Sequence, residues 1–168
     1  MKIYGMIALW IMAMIVLAPS APVQGGGGAE DETFFNEKGL AHYNRAYYEF
    51  QAAGKTAEAN EEFEKAVRAF QEAIRIDDRF AQAHRNLGRV YTVQNRCDLA
   101  AEQYRKLVEL EPENLENYLP LASALERLGR FGEAGDVLTR AKSLTSDPLL
   151  RESLDKLIEK MNDSGGSR

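Results

Sequence analysis

Between Ala81 and Pro148 one arrangement of apolar residues occurs twice, thirty-four positions apart and without a gap. Leu87, Gly88, Tyr91, Ala100, Tyr104, Leu107 and Leu110 are answered at that interval by Leu121, Ala122, Leu125, Ala134, Leu138, Ala141 and Leu144. A fixed period of this length constrains a chain more than composition does, because each unit must bury its apolar face against a neighbouring copy. In both copies the apolar residues recur at three- and four-residue intervals, first in one half and then in the other, so each copy predicts a pair of helices. A small residue, Gly88 or Ala122, lets the partner backbone approach, and the bulky residue three places on fills the gap beside it.

These residues resemble the signature of the tetratricopeptide repeat family. Its Leu-Gly, Tyr, Ala, Phe/Tyr, Ala and Pro positions read here as Leu87-Gly88, Tyr91, Ala100, Tyr104, Leu107 and Pro112. The chain departs from it at Leu107, where the family has a small residue, and at Ser146, where the closing Pro would fall. The resemblance implies an all-α fold: a right-handed superhelical stack of three helical hairpins, with the first helix of each pair lining the inner wall. On that wall it places Gln82, Arg85, Arg89 and Thr92 from the second repeat and Glu116, Leu119, Ser123, Glu126 and Arg127 from the third, as a surface for a peptide or helix. Family members that bind chaperones clamp a C-terminal carboxylate with basic residues on adjacent inner helices. Glu116 and Pro120 fall where such cations would be needed, so that activity is not expected.

The remaining chain divides around these repeats. Residues 34–80 predict an enlarged first hairpin, 81–114 the second repeat, 115–146 the third, 147–161 a capping helix and 162–168 a disordered tail. In the first hairpin, helices are expected over Phe34–Ala53 and Ala57–Ile76, with Gly54 as the stop, Thr56 as a cap and a protruding tip around Ala52–Asn60. Phe63, Ala66, Phe70, Ala73 and Ile76 keep the register of the repeat, but the helix before them does not. Equating Gly39 with Gly88 gives an insertion of fifteen residues, and equating Tyr47 with Gly88 gives seven. Further on, Asp98 and Asn114 are expected to cap helices, and Pro120 to force a kink or a late start. Ser146 or Asp147 before Pro148 signals the capping helix, whose Leu149, Leu150, Leu154, Leu157, Ile158 and Met161 form an apolar stripe.

Lys2 is followed by the uncharged run Ile3–Ala18, and small residues suited to cleavage follow at Ser20 and Gly25. Residues 1–25 therefore read as a signal peptide or, uncleaved, as an N-terminal anchor through residues 3–18. The sixteen apolar residues fall short of the roughly twenty needed to span a bilayer as a helix, which favours cleavage and an exported, periplasmic or secreted product. Residues 26–33 form a glycine-rich, acidic leader.

Catalytic chemistry has little support. The formal charge of -5 repels phosphate, so no nucleic-acid partner is expected. Cys97 stands alone, His42 and His84 fall in separate repeats, and no metal or cofactor motif occurs. His84 occupies the slot matched by Tyr118, and Cys97 that of Phe63 and Phe131, so both read as packing residues. Tyr43, Tyr47, Tyr48 and Phe50 cannot all point one way on a helix, which marks them as a second candidate patch, for a partner or for a homodimer. The sequence thus points to a non-enzymatic scaffold or assembly factor binding a protein or peptide in its groove. Self-association through the aromatic first hairpin is the alternative.

Overall fold

The computed structural model describes residues 30–166. The expected signal segment 1–25 and residues 26–29 of the leader lie outside the described residues. Among the described residues seven α-helices follow in order: α1 Glu32–Asn44, α2 Thr56–Ile76, α3 Ala81–Val93, α4 Cys97–Leu110, α5 Tyr118–Arg127, α6 Phe131–Ser143 and α7 Pro148–Gly166. A π-helical segment, Arg45–Gln51, prolongs α1, and a 3-10 turn, Leu115–Asn117, leads into α5. Each helix packs on the next, and α1 also touches α3, so three hairpins stack in chain order and α7 closes the pile against α6.

The small-to-large contacts repeat through the stack. Gly88 lies against the Tyr104 ring so closely that a Cβ would stand 2.7 Å from its Cε1, and Gly39 faces Phe70 in the same way at 2.5 Å. Phe70 and Tyr104 are separated by one repeat period, so Gly39 is the counterpart of Gly88 and the insertion is fifteen residues long. Tyr47 is 42% exposed and has no such role.

The turns show where the fifteen residues went. Gly54, Asn95 and Gly129 all adopt a left-handed φ, of 72°, 61° and 72°. The amide that follows each reaches five residues back: Lys55 to the Phe50 carbonyl, Arg96 to Tyr91 and Arg130 to Leu125, at 2.8–2.9 Å. Gly39 to Gly54 covers fifteen residues where Gly88 to Asn95 covers seven, and Gly54 to Phe70 covers sixteen where Asn95 to Tyr104 covers nine. Seven of the added residues therefore lie in α2, close to two α-helical turns, and keep its buried face in line. Eight lie in the first helix, one more than two turns need. The π-helical segment, whose bonds skip an additional residue, absorbs that one. Residues 51–58 at the tip are exposed, and Ala59 returns to the core.

Several end signals differ from expectation. Thr56 begins α2 rather than capping it, and Asp98 lies inside the first turn of α4, because Lys55 and Arg96 hold the cap positions without a side-chain bond. The helix expected from Phe34 starts at Glu32 under an Asp31 cap, taking the last residues of the leader. Asn114 caps as expected, accepting from the Glu116 amide at 3.2 Å. α5 starts late, at Tyr118, which leaves Pro120 in a first turn where its missing amide costs nothing. Asp147 caps α7 through the Leu149 amide at 2.9 Å. The disordered tail expected from Asn162 is instead helical to Gly166, because Met161 is buried and Gly165 lies against Phe131.

Candidate functional site

Side chains tie together α1, α3 and α5, the helices that the resemblance assigns to the inner wall. Asn86 on α3 donates to Asn36 on α1 at 2.9 Å, and Arg127 on α5 donates to the Thr92 carbonyl at 3.3 Å. Thr92 returns its hydroxyl to the Gly88 carbonyl, 2.9 Å away, and stands 3.2 Å from the Tyr104 hydroxyl. Burial pushes the Tyr104 phenol above its ordinary pKa, while the bond to Thr92 and the Arg89 charge oppose that rise. A small hollow of about 50 Å³ lies over this ring, lined by Thr92, Pro120, Ser123 and Arg127.

The nine expected wall residues separate into two groups. Arg85, Glu126, Arg127 and Thr92 are engaged within the fold. Arg85 pairs with Glu111 at 2.8 Å and donates to Asn117 at 3.1 Å, and Lys160 on α7 holds Glu126 at 2.7 Å. Arg85 thus braces the junction between the second and third hairpins rather than offering itself to a ligand. Glu111 sits at the centre of that junction. A hydrogen bond from Asn117, assisted by Asn114 and the Arg85 charge, holds its carboxyl below the usual range against the effect of burial. Asn117 is 1% exposed, and its part was missed because a buried polar residue leaves no periodic signal.

Gln82, Arg89, Glu116, Leu119 and Ser123 remain at the surface. Among the described residues, none of these five makes a side-chain hydrogen bond or an ion pair. The Arg89 guanidinium instead lies over the Tyr43 ring, 5.2 Å from its centroid. Tyr43 is buried, rests on Phe63 and stacks on Tyr47, their ring centroids 5.9 Å apart. Tyr47 makes an edge contact with Tyr48, which is 69% exposed, while Phe50 is half-buried against the core. The inner wall and the aromatic patch, separate candidates in the sequence, therefore meet at Arg89 and Tyr43. His42 lies at the N-terminal end, where its Nδ1 is 2.7 Å from Glu62. That hydrogen bond and one from Lys65 hold the Glu62 carboxyl low, Lys65 having the larger effect. Among the described residues no three His, Cys, Asp or Glu side chains group as a metal would require, and no helix is long and apolar enough to cross a membrane.

The tetratricopeptide repeat model matches residues 51–114 and 93–148, more than half of the chain. The chain belongs to the tetratricopeptide repeat family. Anaphase-promoting complex subunit 3 of Schizosaccharomyces pombe is 32% identical over 97 residues, which make up 58% of this chain and 15% of the yeast protein. The chain spans 15% or less of the length of the curated relatives it matches. Among solved structures, the tetratricopeptide domain of Arabidopsis OM64 superposes with a TM-score of 0.58 at 22% identity, over 78% of this chain and 96% of that domain. The Yersinia enterocolitica type III secretion chaperone SycD, solved with a peptide of the translocator YopD, superposes at 0.53 with 19% identity, over 76% and 91% of the two chains. At these identities the likeness is one of fold.

The tetratricopeptide register also explains His84. Tyr118, one period on, donates its hydroxyl to the Pro112 carbonyl at 2.6 Å, and His84 Nε2 approaches the Asp78 carbonyl, one period before Pro112, at 3.1 Å. Both side chains are buried and perform one packing task, closing the loop that precedes their helix. Cys97 is buried in the spacer slot of the second repeat.

Proposed function

We propose that this tetratricopeptide chain is a non-enzymatic interaction module that holds an extended peptide or a helix across α1, α3 and α5. We further propose that it works as an exported scaffold or assembly factor. One observation carries the reading. The wall holds its shape through internal bonds, while Gln82, Arg89, Glu116, Leu119 and Ser123 are left uncommitted and Leu119 is 38% exposed. A surface already ordered before binding loses little entropy on capture of a ligand. The similarity to a chaperone solved with a peptide supports the same mode. Glu116 and Pro120 on the third repeat argue against a clamp for C-terminal carboxylates.

The test is partner capture with tagged full-length chain, compared with Leu119→Glu/Ser123→Arg. The double variant alters only exposed positions, so its thermal melt should match wild type while captured partners are lost. Partners retained at wild-type levels would refute the groove. Sequencing the N-terminus of the exported chain checks the leader, with a start after Ser20 or Gly25 expected. A second reading, self-association, has its own support in the exposure of Tyr47 and Tyr48. It predicts a concentration-dependent dimer in sedimentation that Tyr47→Ala/Tyr48→Ala abolishes.

A further inference from the structure

We infer that Arg89, Tyr43 and Tyr47 form a subsite for an acidic side chain carried two positions from an aromatic one in an extended peptide. This rests on the groove reading above and names the ligand chemistry. Among the described residues, Arg89 is the surface cation of the wall that the fold leaves without an acceptor: Arg85 is committed to Glu111 and Asn117, and Arg127 to Asn95 and the Thr92 carbonyl. Its guanidinium carbon lies over the Tyr43 ring, 5.2 Å from the centroid, and Tyr43 is itself packed by Phe63 and Tyr47. A cation-π contact occupies no N–H, so the donors of the fork stay available for a carboxylate.

Tyr47 supplies the second half. Its ring is stacked on Tyr43 and packs T-shaped with Tyr48, yet the residue is 42% exposed, which leaves area for another aromatic group. The guanidinium lies 5.2 Å and the Tyr47 ring 5.9 Å from the Tyr43 centroid, so the two contact points stand at most about 11 Å apart. An extended peptide rises about 3.3 Å per residue, and its side chains return to one side at every second position. Acid and aromatic at i and i+2, about 6.6 Å apart along the chain, fall within that limit and on one face. The subsite is a product of the insertion, since Tyr47 lies in the π-helical segment, and Ser123 stands at the Arg89 position of the third repeat.

A phage-displayed library of random twelve-residue peptides, selected on full-length chain, tests the assignment. Wild type should enrich sequences with Asp or Glu two positions from Phe, Tyr or Trp. On Arg89→Gln the acid preference should vanish while the aromatic one persists, and on Tyr47→Ala the reverse should hold. A synthetic copy of an enriched peptide, followed by fluorescence anisotropy, should bind Arg89→Gln roughly ten-fold more weakly, as expected for loss of a charge-assisted bond. Arg89→Lys, which keeps charge without the planar fork, should fall between. Enriched peptides without the acid-x-aromatic pattern, or with equal affinity for Arg89→Gln, overturn the subsite. If such peptides are still lost on Ser123→Arg, the groove reading survives. Peptides indifferent to both substitutions, or no enrichment at all, overturn both.

Discussion

A single methyl group at Gly39 tests the packing logic of the stack. Built on the present backbone, the new Cβ would lie 2.5, 2.7 and 2.8 Å from three carbons of the Phe70 ring, where contact between carbons is comfortable at about 3.5–4.0 Å. Phe70 is fully buried, so the ring cannot swing into solvent, and α1 must back away from α2 by roughly 1 Å. Overpacking of this kind costs about 1–3 kcal/mol, offset by up to about 1 kcal/mol of helix propensity gained over glycine. Gly39→Ala should therefore destabilise by about 1–2 kcal/mol and lower the melting midpoint by roughly 5 °C, read by circular dichroism. The same substitution at Gly135 meets only ordinary contacts, 3.8 and 3.9 Å from Asn162 and Met161, and should stabilise by about 0.5–1 kcal/mol. Phe70→Leu, costly alone, should cost less in the Gly39→Ala background, with a coupling of about 1 kcal/mol. A stabilising Gly39→Ala, or no coupling to Phe70, would refute the equivalence of Gly39 with Gly88 and the fifteen-residue insertion with it.

Three further outcomes follow from the same contacts. The Glu111 carboxyl titrates lower in the folded chain than unfolded, so its contribution is complete above the unfolded value of about 4.3 and is lost as pH falls through the lower folded value. Glu111→Gln should accordingly flatten the acid limb of a plot of urea midpoint against pH below about 5, and an unchanged limb would contradict the bracing role. His84→Tyr, which restores a hydroxyl in the slot of Tyr118, should leave the melting midpoint near wild type, whereas His84→Ala should lose about 2–4 kcal/mol to a buried cavity. Pro120→Ala should change stability by less than about 0.5 kcal/mol, because a first-turn proline forfeits no bond. A gain near 3 kcal/mol would mean that Pro120 sits in a helix interior after all.

Much of this architecture was legible in the sequence. Helix pairs, turn positions and buried faces follow from apolar spacing, since a residue repeated every three or four places must lie on one stripe of a helix. His84 and Tyr118 were recognisable as one slot from the period alone. Asn95 is legible as a turn residue, but its left-handed conformation, which glycine holds in the other two hairpins, is not. The end of α7 was hidden as well, since Asn162–Gly166 lacks an apolar stripe and stays helical by leaning on Phe131 and α6.

For the candidate site, the sequence by itself determined that eight of the nine expected wall residues lie on the first helix of their hairpin, α3 or α5, whereas Glu116 falls in the 3-10 turn ahead of α5. Only the tertiary structure decided which of these are engaged and which are free. Arg85 and Arg89 look alike one helical turn apart, yet Arg85 meets Glu111 and Asn117 across a hairpin boundary while Arg89 meets the face of Tyr43 in the preceding hairpin. Periodicity specifies rotation about a helix axis, which is a local property. The partner met across a gap depends on the stagger and separation of whole helices, here set by Gly39 against Phe70 and by one extra residue taken up in a π-helical turn.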